Sequence, residues 1–238
     1  MSSEGNVVLV AGGTGGLGQA VSTAFLNDGA DVIVTFRNEQ EFVGLKRAVG
    51  ERSSRLSGQK IDVTDEAAVQ EFMDQIVSEH GRLDALVNTV GGYVGGIKLW
   101  DLDRRLFDQM LNLNLRSGYV LARAAVKLML KAGSGAIVNV ASKAAMDHAA
   151  EASAYAASKA AAVALMDSLA AELKGSGVRV NSILPSIIDT PANRKAMPQA
   201  DYSKWPKPEE IARVILFLCG DDSKVIHGAA IPVYGSTA

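Results

Sequence analysis

The chain has 238 residues, nearly half of them hydrophobic (48%), with a formal net charge of −2. That length suits a single α/β domain with a large core, and the hydrophobic content excludes a disordered chain. A charge so close to balance argues against a nucleic-acid or anionic-membrane surface. The single cysteine, Cys219, excludes an internal disulfide and suits a reducing compartment. With no apolar signal core at the amino terminus and no long apolar run, a soluble cytoplasmic protein is expected, with no membrane partner.

Residues 7–11 are uninterruptedly apolar, the mark of a strand buried on both faces. They run into Gly12-Gly-Thr-Gly-Gly-Leu-Gly18 and then into a helical pattern that ends near Gly29. Strand, glycine turn and helix in this order form a phosphate cradle for a dinucleotide. Gly12, Gly16 and Gly18 supply the tight turn, the close backbone approach and the helix packing, with Thr14 and Leu17 in the same loop. The second strand, 31–36, ends in Phe36 followed by Arg37 where an acidic residue would select NAD. A guanidinium there pairs with a 2′-phosphate, which favours NADP(H) over NAD(H); the alternative is that Arg37 is one more solvated charge.

A helix over 39–49 leads to a third strand, 56–63, whose Asp62 and Val63 would meet the adenine. The apolar spacing of Val69, Phe72, Met73, Ile76 and Val77 predicts an amphipathic core helix over 65–80. A fourth strand, 83–89, carries Asn88 and opens into the glycine-rich bend that contains Gly91. A long helix is predicted over 106–131. It contains Asn114, whose amide competes with the helix backbone unless a neighbour satisfies it or it holds a water.

Strand five, 136–141, ends at Ser142. The alanine-rich helix that follows, 152–173, carries Tyr155 and Lys159 on one face, one turn apart. An ammonium beside a phenol favours the phenolate, so Lys159 is expected to lower the Tyr155 pKa and make that hydroxyl a proton donor and acceptor near neutrality. Strand six, 178–184, is halted by Pro185. Residues 186–208 lose periodicity and are expected to cover the substrate. A last helix, 209–219, and a last strand, 229–233, complete one domain spanning 1–238, without repeats. The alternation specifies a doubly wound, seven-stranded parallel sheet of Rossmann type with helices on both faces. His80, His148 and His227 are scattered, and no metal site is expected.

With these residues assembled, the chain resembles the short-chain dehydrogenase/reductase family over nearly its full length. The carrying motifs are the glycine loop after Ala11, Asp62-Val63, Asn88-Thr-Val-Gly91, Asn114, Ser142, Tyr155-Ala-Ala-Ser-Lys159, and Asn181 with Pro185 to Thr190. The resemblance implies that Tyr155 is the general acid/base, that Ser142 positions the substrate oxygen, and that Lys159 lowers the tyrosine pKa and holds the nicotinamide ribose. It further implies that Asn114 holds a water, and that Pro185, the backbone near Ile188 and the Thr190 hydroxyl grip the carboxamide. The implied reaction is hydride transfer between NADP(H) and a small carbonyl or hydroxyl compound. The departures are Ala11 for the family's threonine, Asn88-Thr-Val-Gly for Asn-Asn-Ala-Gly, and Pro185-Ser186 for Pro-Gly. Residues 189–205 and 91–96 also look like dihydropteridine reductases, a group that prefers NADH and lacks the serine. Ser142 and Arg37 pull instead toward carbonyl reductases such as the 3-oxoacyl-carrier-protein reductases. A non-catalytic dinucleotide sensor is expected to lose the tyrosine or lysine, and this chain has both. In family members the helices around 115–130 and 152–173 pair across two-fold axes, which implies a homotetramer or homodimer.

Overall fold

The computed structural model describes residues 3–236. Seven parallel strands form one sheet: β1 (Val7–Ala11), β2 (Asp31–Phe36), β3 (Leu56–Lys60), β4 (Ala85–Asn88), β5 (Gly135–Val140), β6 (Val178–Pro185) and β7 (Ala230–Val233). Their order across the sheet is β3-β2-β1-β4-β5-β6-β7. The chain therefore winds outward from β1 in one direction, then starts again at β4 and winds outward in the other. β1 and β4 lie side by side with Ala11 opposite Asn88. Such a reversal leaves a crevice beyond the carboxyl ends of the two strands, where crossovers diverge and nothing covers the sheet.

Side chains alternate across the strands, and the alternation divides the core. Val8 and Val10 of β1 join one apolar cluster with Val21 and Phe25 of α1 (Gly16–Asn27), Leu45 of α2 (Glu39–Val49) and Ile215 of α8 (Pro208–Cys219). Val7, Leu9 and Ala11 face the other way and join Phe72 and Met73 of α3 (Glu66–His80), Leu121 and Met129 of α5 (Ser117–Ala132) and Met166 of α6 (Ser153–Glu172). This is the doubly wound sheet expected from the alternation of apolar runs and helical patterns. At the far edge, the Arg179 guanidinium of β6 donates to the carbonyls of Leu218 (2.7 Å) and Gly220 (3.0 Å), satisfying the end of α8.

Several boundaries differ from the sequence reading. β3 stops at Lys60, so Asp62 and Val63 lie past the strand. β4 is confined to Ala85–Asn88 because Leu83 and Thr89 have no ladder partners. Pro185 belongs to β6, opposite Val233, instead of halting it: as the final residue of the strand it owes the ladder no N–H. The helix expected over 106–131 is interrupted. α4 (Arg104–Leu111) passes through one π-helical stretch, Asn112–Arg116, before α5 begins. The stretch expected to be aperiodic contains α7 (Pro191–Ala196), too short to leave a periodic signature, with Pro191 in its first turn and Thr190 as its cap.

The glycine loop is built by contact as much as by torsion. Gly12 adopts φ +75°, and a Cβ placed on Gly18 would collide with the Gly12 carbonyl oxygen. That neighbour is backbone and cannot swing aside. Gly18→Ala is therefore expected to lower stability by about 3 kcal/mol in urea unfolding. A loss below about 0.5 kcal/mol would mean that the first turn of α1 can shift freely against the loop.

Candidate active site

α1 starts without a side-chain cap and without an acidic residue in its first turn, so the N–H groups of its first turn face the crevice unneutralised. Two threonines fix the loop in front of it. Thr35 Oγ1 accepts from the Gly12 N–H at 3.0 Å, and Thr89 Oγ1 donates to the Ala11 carbonyl at 2.7 Å. In the sequence Thr35 reads only as a strand residue and Thr89 only as part of the Asn88-Thr-Val-Gly91 motif, neither with a role of its own. Beside the loop lies a cleft of about 240 Å³, lined by Gly12, Thr14, Arg37, Val63 and Gly91 among others. An uncapped helix terminus, a close-approach glycine loop and a cleft against them fit the pyrophosphate and adenosine of a dinucleotide.

The other expected cofactor residues fall around this cleft in different ways. Arg37 reaches the Asp62 carboxylate at 3.8 Å, both side chains largely exposed. Asp62 accepts from the Thr64 N–H at 3.0 Å and from its hydroxyl at 2.8 Å. These bonds, and then Arg37, hold its carboxyl below the usual range. Leu17 and Gly18 are buried under the loop. A Cβ on Gly16 would meet the Thr190 methyl at 2.9 Å, so the segment after β6 lies directly over the glycine loop. Thr190 Oγ1 accepts from the Asn193 N–H (3.2 Å), while the Ile188 carbonyl accepts from the Thr190 N–H (2.8 Å) and the Asn193 amide (2.8 Å). Asn88 is turned inward: its amide donates to Asn139 at 3.0 Å and its oxygen accepts from the Val90 N–H at 3.2 Å, so it braces the ends of β4 and β5.

Ser142, at the end of β5, accepts from the Ala144 N–H at 3.2 Å, and its hydroxyl lies near enough to the Tyr155 phenol to favour the phenolate. The Tyr155 ring also meets the edge of Tyr93 at 4.9 Å between centroids. Lys159 is buried, and its Nζ donates to the Val140 carbonyl at 3.0 Å. Asn114 projects from the π-helical turn. Its amide donates to the Gly92 carbonyl (3.0 Å) and the Ser158 hydroxyl (3.0 Å), and its oxygen accepts from the Gly92 N–H (2.9 Å). These neighbours satisfy the Asn114 amide within the helix. Ser158, fully buried between Tyr155 and Lys159 in sequence, in turn donates to the Tyr155 carbonyl at 2.7 Å. A Cβ on Gly91 would lie 3.0 Å from both Asn114 Oδ1 and Lys159 Nζ, so the two side chains converge on one glycine.

One expectation reverses. Lys159 is expected to pull the Tyr155 pKa down, yet the phenol lies above its ordinary value, chiefly because burial disfavours the phenolate, with the nearby Ser142 hydroxyl offsetting part of the rise. Sharing a helix face is not enough. The ammonium is committed to the Val140 carbonyl, and its own burial pulls it down to about 8. Among the histidines, His227 is structural, accepting from the Val180 N–H at 3.2 Å with its other nitrogen 2.7 Å from the Ala170 carbonyl. Among the described residues, no helix is long and apolar enough to cross a membrane.

Comparison with known proteins agrees with this geometry. The short chain dehydrogenase model matches residues 6–201. D-threitol dehydrogenase of Mycolicibacterium smegmatis is 35% identical over 241 residues, covering 98% of this chain and 92% of the relative. Among solved structures, ElxO with NADP bound superposes with a TM-score of 0.91 at 28% identity, covering 97% of each chain. NAD+-bound xylitol dehydrogenase does so at 0.91 and 25%, covering 99% of this chain and 100% of that one. With Ser142, Tyr155 and Lys159 gathered past the carboxyl ends of a reversing parallel sheet, the chain belongs to the short-chain dehydrogenase family, NAD(P)-dependent oxidoreductases of alcohol and carbonyl groups.

Proposed function

We propose that this protein is an NADP(H)-preferring reductase of a small carbonyl compound, with Tyr155 as the proton donor. The observation that carries the reading is the gathering of Ser142, at the end of β5, with the Tyr155 phenol and the buried Lys159; the two hydroxyls can together hold one substrate oxygen. A bound nicotinamide dinucleotide supplies or accepts the hydride. Tyr155 donates its hydroxyl proton to the oxygen of the carbon being reduced, and takes one back in the alcohol-to-carbonyl direction. Ser142 orients that oxygen by hydrogen bonding and stabilises the charge that develops there. Its place at the end of β5, with its own oxygen fixed by the Ala144 N–H, keeps the hydroxyl from drifting.

Lys159 serves as a nearby cation that offsets negative charge when Tyr155 gives up its proton. A group whose pKa is already near 8 can also exchange a proton with the phenol. Asn114 and Ser158 link the lysine's surroundings to the Tyr155 backbone and hold the Gly92 turn in place. Tyr93 packs its ring nearly perpendicular to that of Tyr155 and so helps to hold the phenol in place. Arg37 supports the cofactor preference, as a cation in the cleft where an adenosine 2′-phosphate would lie. The carboxamide is assigned to the Pro185–Thr190 segment, which already lies over Gly16. The groove of Leu111, Leu115 and Tyr119 along α4 and α5 supports assembly into a homodimer or homotetramer.

Tyr155→Phe is expected to leave nucleotide binding within about twofold and to lower kcat by about a hundredfold or more, measured by coenzyme oxidation across a carbonyl panel. Turnover near wild type would remove the phenol from the chemistry. Arg37→Ala is expected to lower the NADPH/NADH ratio of kcat/KM by about tenfold; an unchanged ratio would make Arg37 a surface charge only.

A third outcome concerns stability. The Lys159 pKa in the fold is about 8, below its ordinary 10.5, so the folded chain holds fewer protons than the unfolded chain between those values. Relative to Lys159→Met, wild type should be less stable by on the order of 2–3 kcal/mol at pH 7, and should recover that deficit as pH rises from about 8 to 10.5. A difference independent of pH would show that the ammonium carries no burial penalty.

A further inference from the structure

We propose that Glu41 is a specificity-determining residue for the cofactor. Its carboxylate opposes the 2′-phosphate that Arg37 attracts, and so moderates the preference for NADP(H) over NAD(H). The proposal rests on the dinucleotide reading of the cleft given above.

Glu41 stands in the first turn of α2. An acidic residue there needs no functional explanation, because the helix dipole favours it. Yet α2 is already capped by Asn38, whose side chain accepts from the Gln40 N–H at 2.9 Å. Glu41 instead reaches across to the glycine loop, where its Oε2 accepts the hydroxyl proton of Thr14 at 2.9 Å. Thr14 is buried, and Thr14, Arg37 and Glu41 all line the same cleft.

Two consequences follow for a phosphate entering beside Arg37. The Thr14 hydroxyl, a natural phosphate donor, is already committed to a carboxylate. The one guanidinium is also flanked by two carboxylates, Glu41 across the cleft and Asp62 at 3.8 Å. A dianion meets a guanidinium whose pull is partly offset by two carboxylates, so the attraction is weaker than Arg37 read alone suggests. A ribose with free hydroxyls meets no such opposition, and its hydroxyls can donate to the Glu41 carboxylate. The acid that would ordinarily be sought at the end of β2 is thus supplied from the next helix.

The test is Glu41→Gln, which keeps an acceptor for the Thr14 hydroxyl and removes only the charge, with Glu41→Lys as a second variant. Dissociation constants for NADPH and NADH are read by nucleotide fluorescence at low and high salt, beside kcat/KM for each. NADPH is expected to bind about five- to tenfold more tightly to Glu41→Gln at low salt, and more tightly still to Glu41→Lys. NADH should change by less than about twofold, and the gain should shrink as salt screens the charge. An unchanged ratio, or a parallel shift for both nucleotides that ignores salt, makes Glu41 a brace for the loop and overturns the proposal. If wild type and variants bind neither nucleotide, the dinucleotide reading fails and this proposal falls with it.

Discussion

The pairing of β1 with β4 is the constraint on which the site depends. Because the chain turns back at that seam, the loops after β1, β4 and β5 all open into one crevice, and residues remote in sequence meet there. The seam is reinforced from above. Thr89, just past β4, bonds the carbonyl of Ala11, and Asn88 bonds across to Asn139 of β5. Those contacts leave little freedom in the glycine loop on one side or in the Gly91–Gly92 turn on the other. The Gly91–Gly92 turn in turn receives Asn114, and Gly91 packs against the buried end of Lys159.

Tyr155 and Lys159 are both moved by burial, and in opposite directions. Each shift penalises the charged form of its group: the phenol rises and the ammonium falls. The two values, nearly equal in water, are driven apart, with no direct bond between the groups. That separation, which favours the neutral form of each group, is what the folded chain by itself imposes on the pair. It requires Lys159 to be held dry, which the Val140 carbonyl and the small side chains of α6 allow.

The architecture was legible because its signals are dense and local. Five consecutive apolar residues, a glycine turn and a helical period leave no other reading for residues 7–29, and Ser142, Tyr155 and Lys159 carry their own context. Less legible was anything decided by a contact between distant residues. The loss of Lys159 to a backbone carbonyl, the bracing of the loop by Thr35 and Thr89, and the reach of Glu41 to Thr14 leave no trace in spacing. α7 escaped notice because six residues hold too little periodicity to stand out, although its Thr190-Pro191 start is a recognisable signal. The π-helical turn was hidden for a related reason, since an apolar pattern drifts only slightly across one wide turn.

That wide turn ties chain length to orientation. Asn112–Arg116 accommodates one more residue than a regular helix would allow between α4 and α5. Loss of a single amino acid there would let the two helices fuse into one uninterrupted rod, with a better backbone ladder. It would also rotate everything on the amino-terminal side by about 100° relative to the rest. Asn114 could then no longer reach both Gly92 and Ser158. In this segment, regularity of the helix and aim of the amide are mutually exclusive, and the fold has settled for the second.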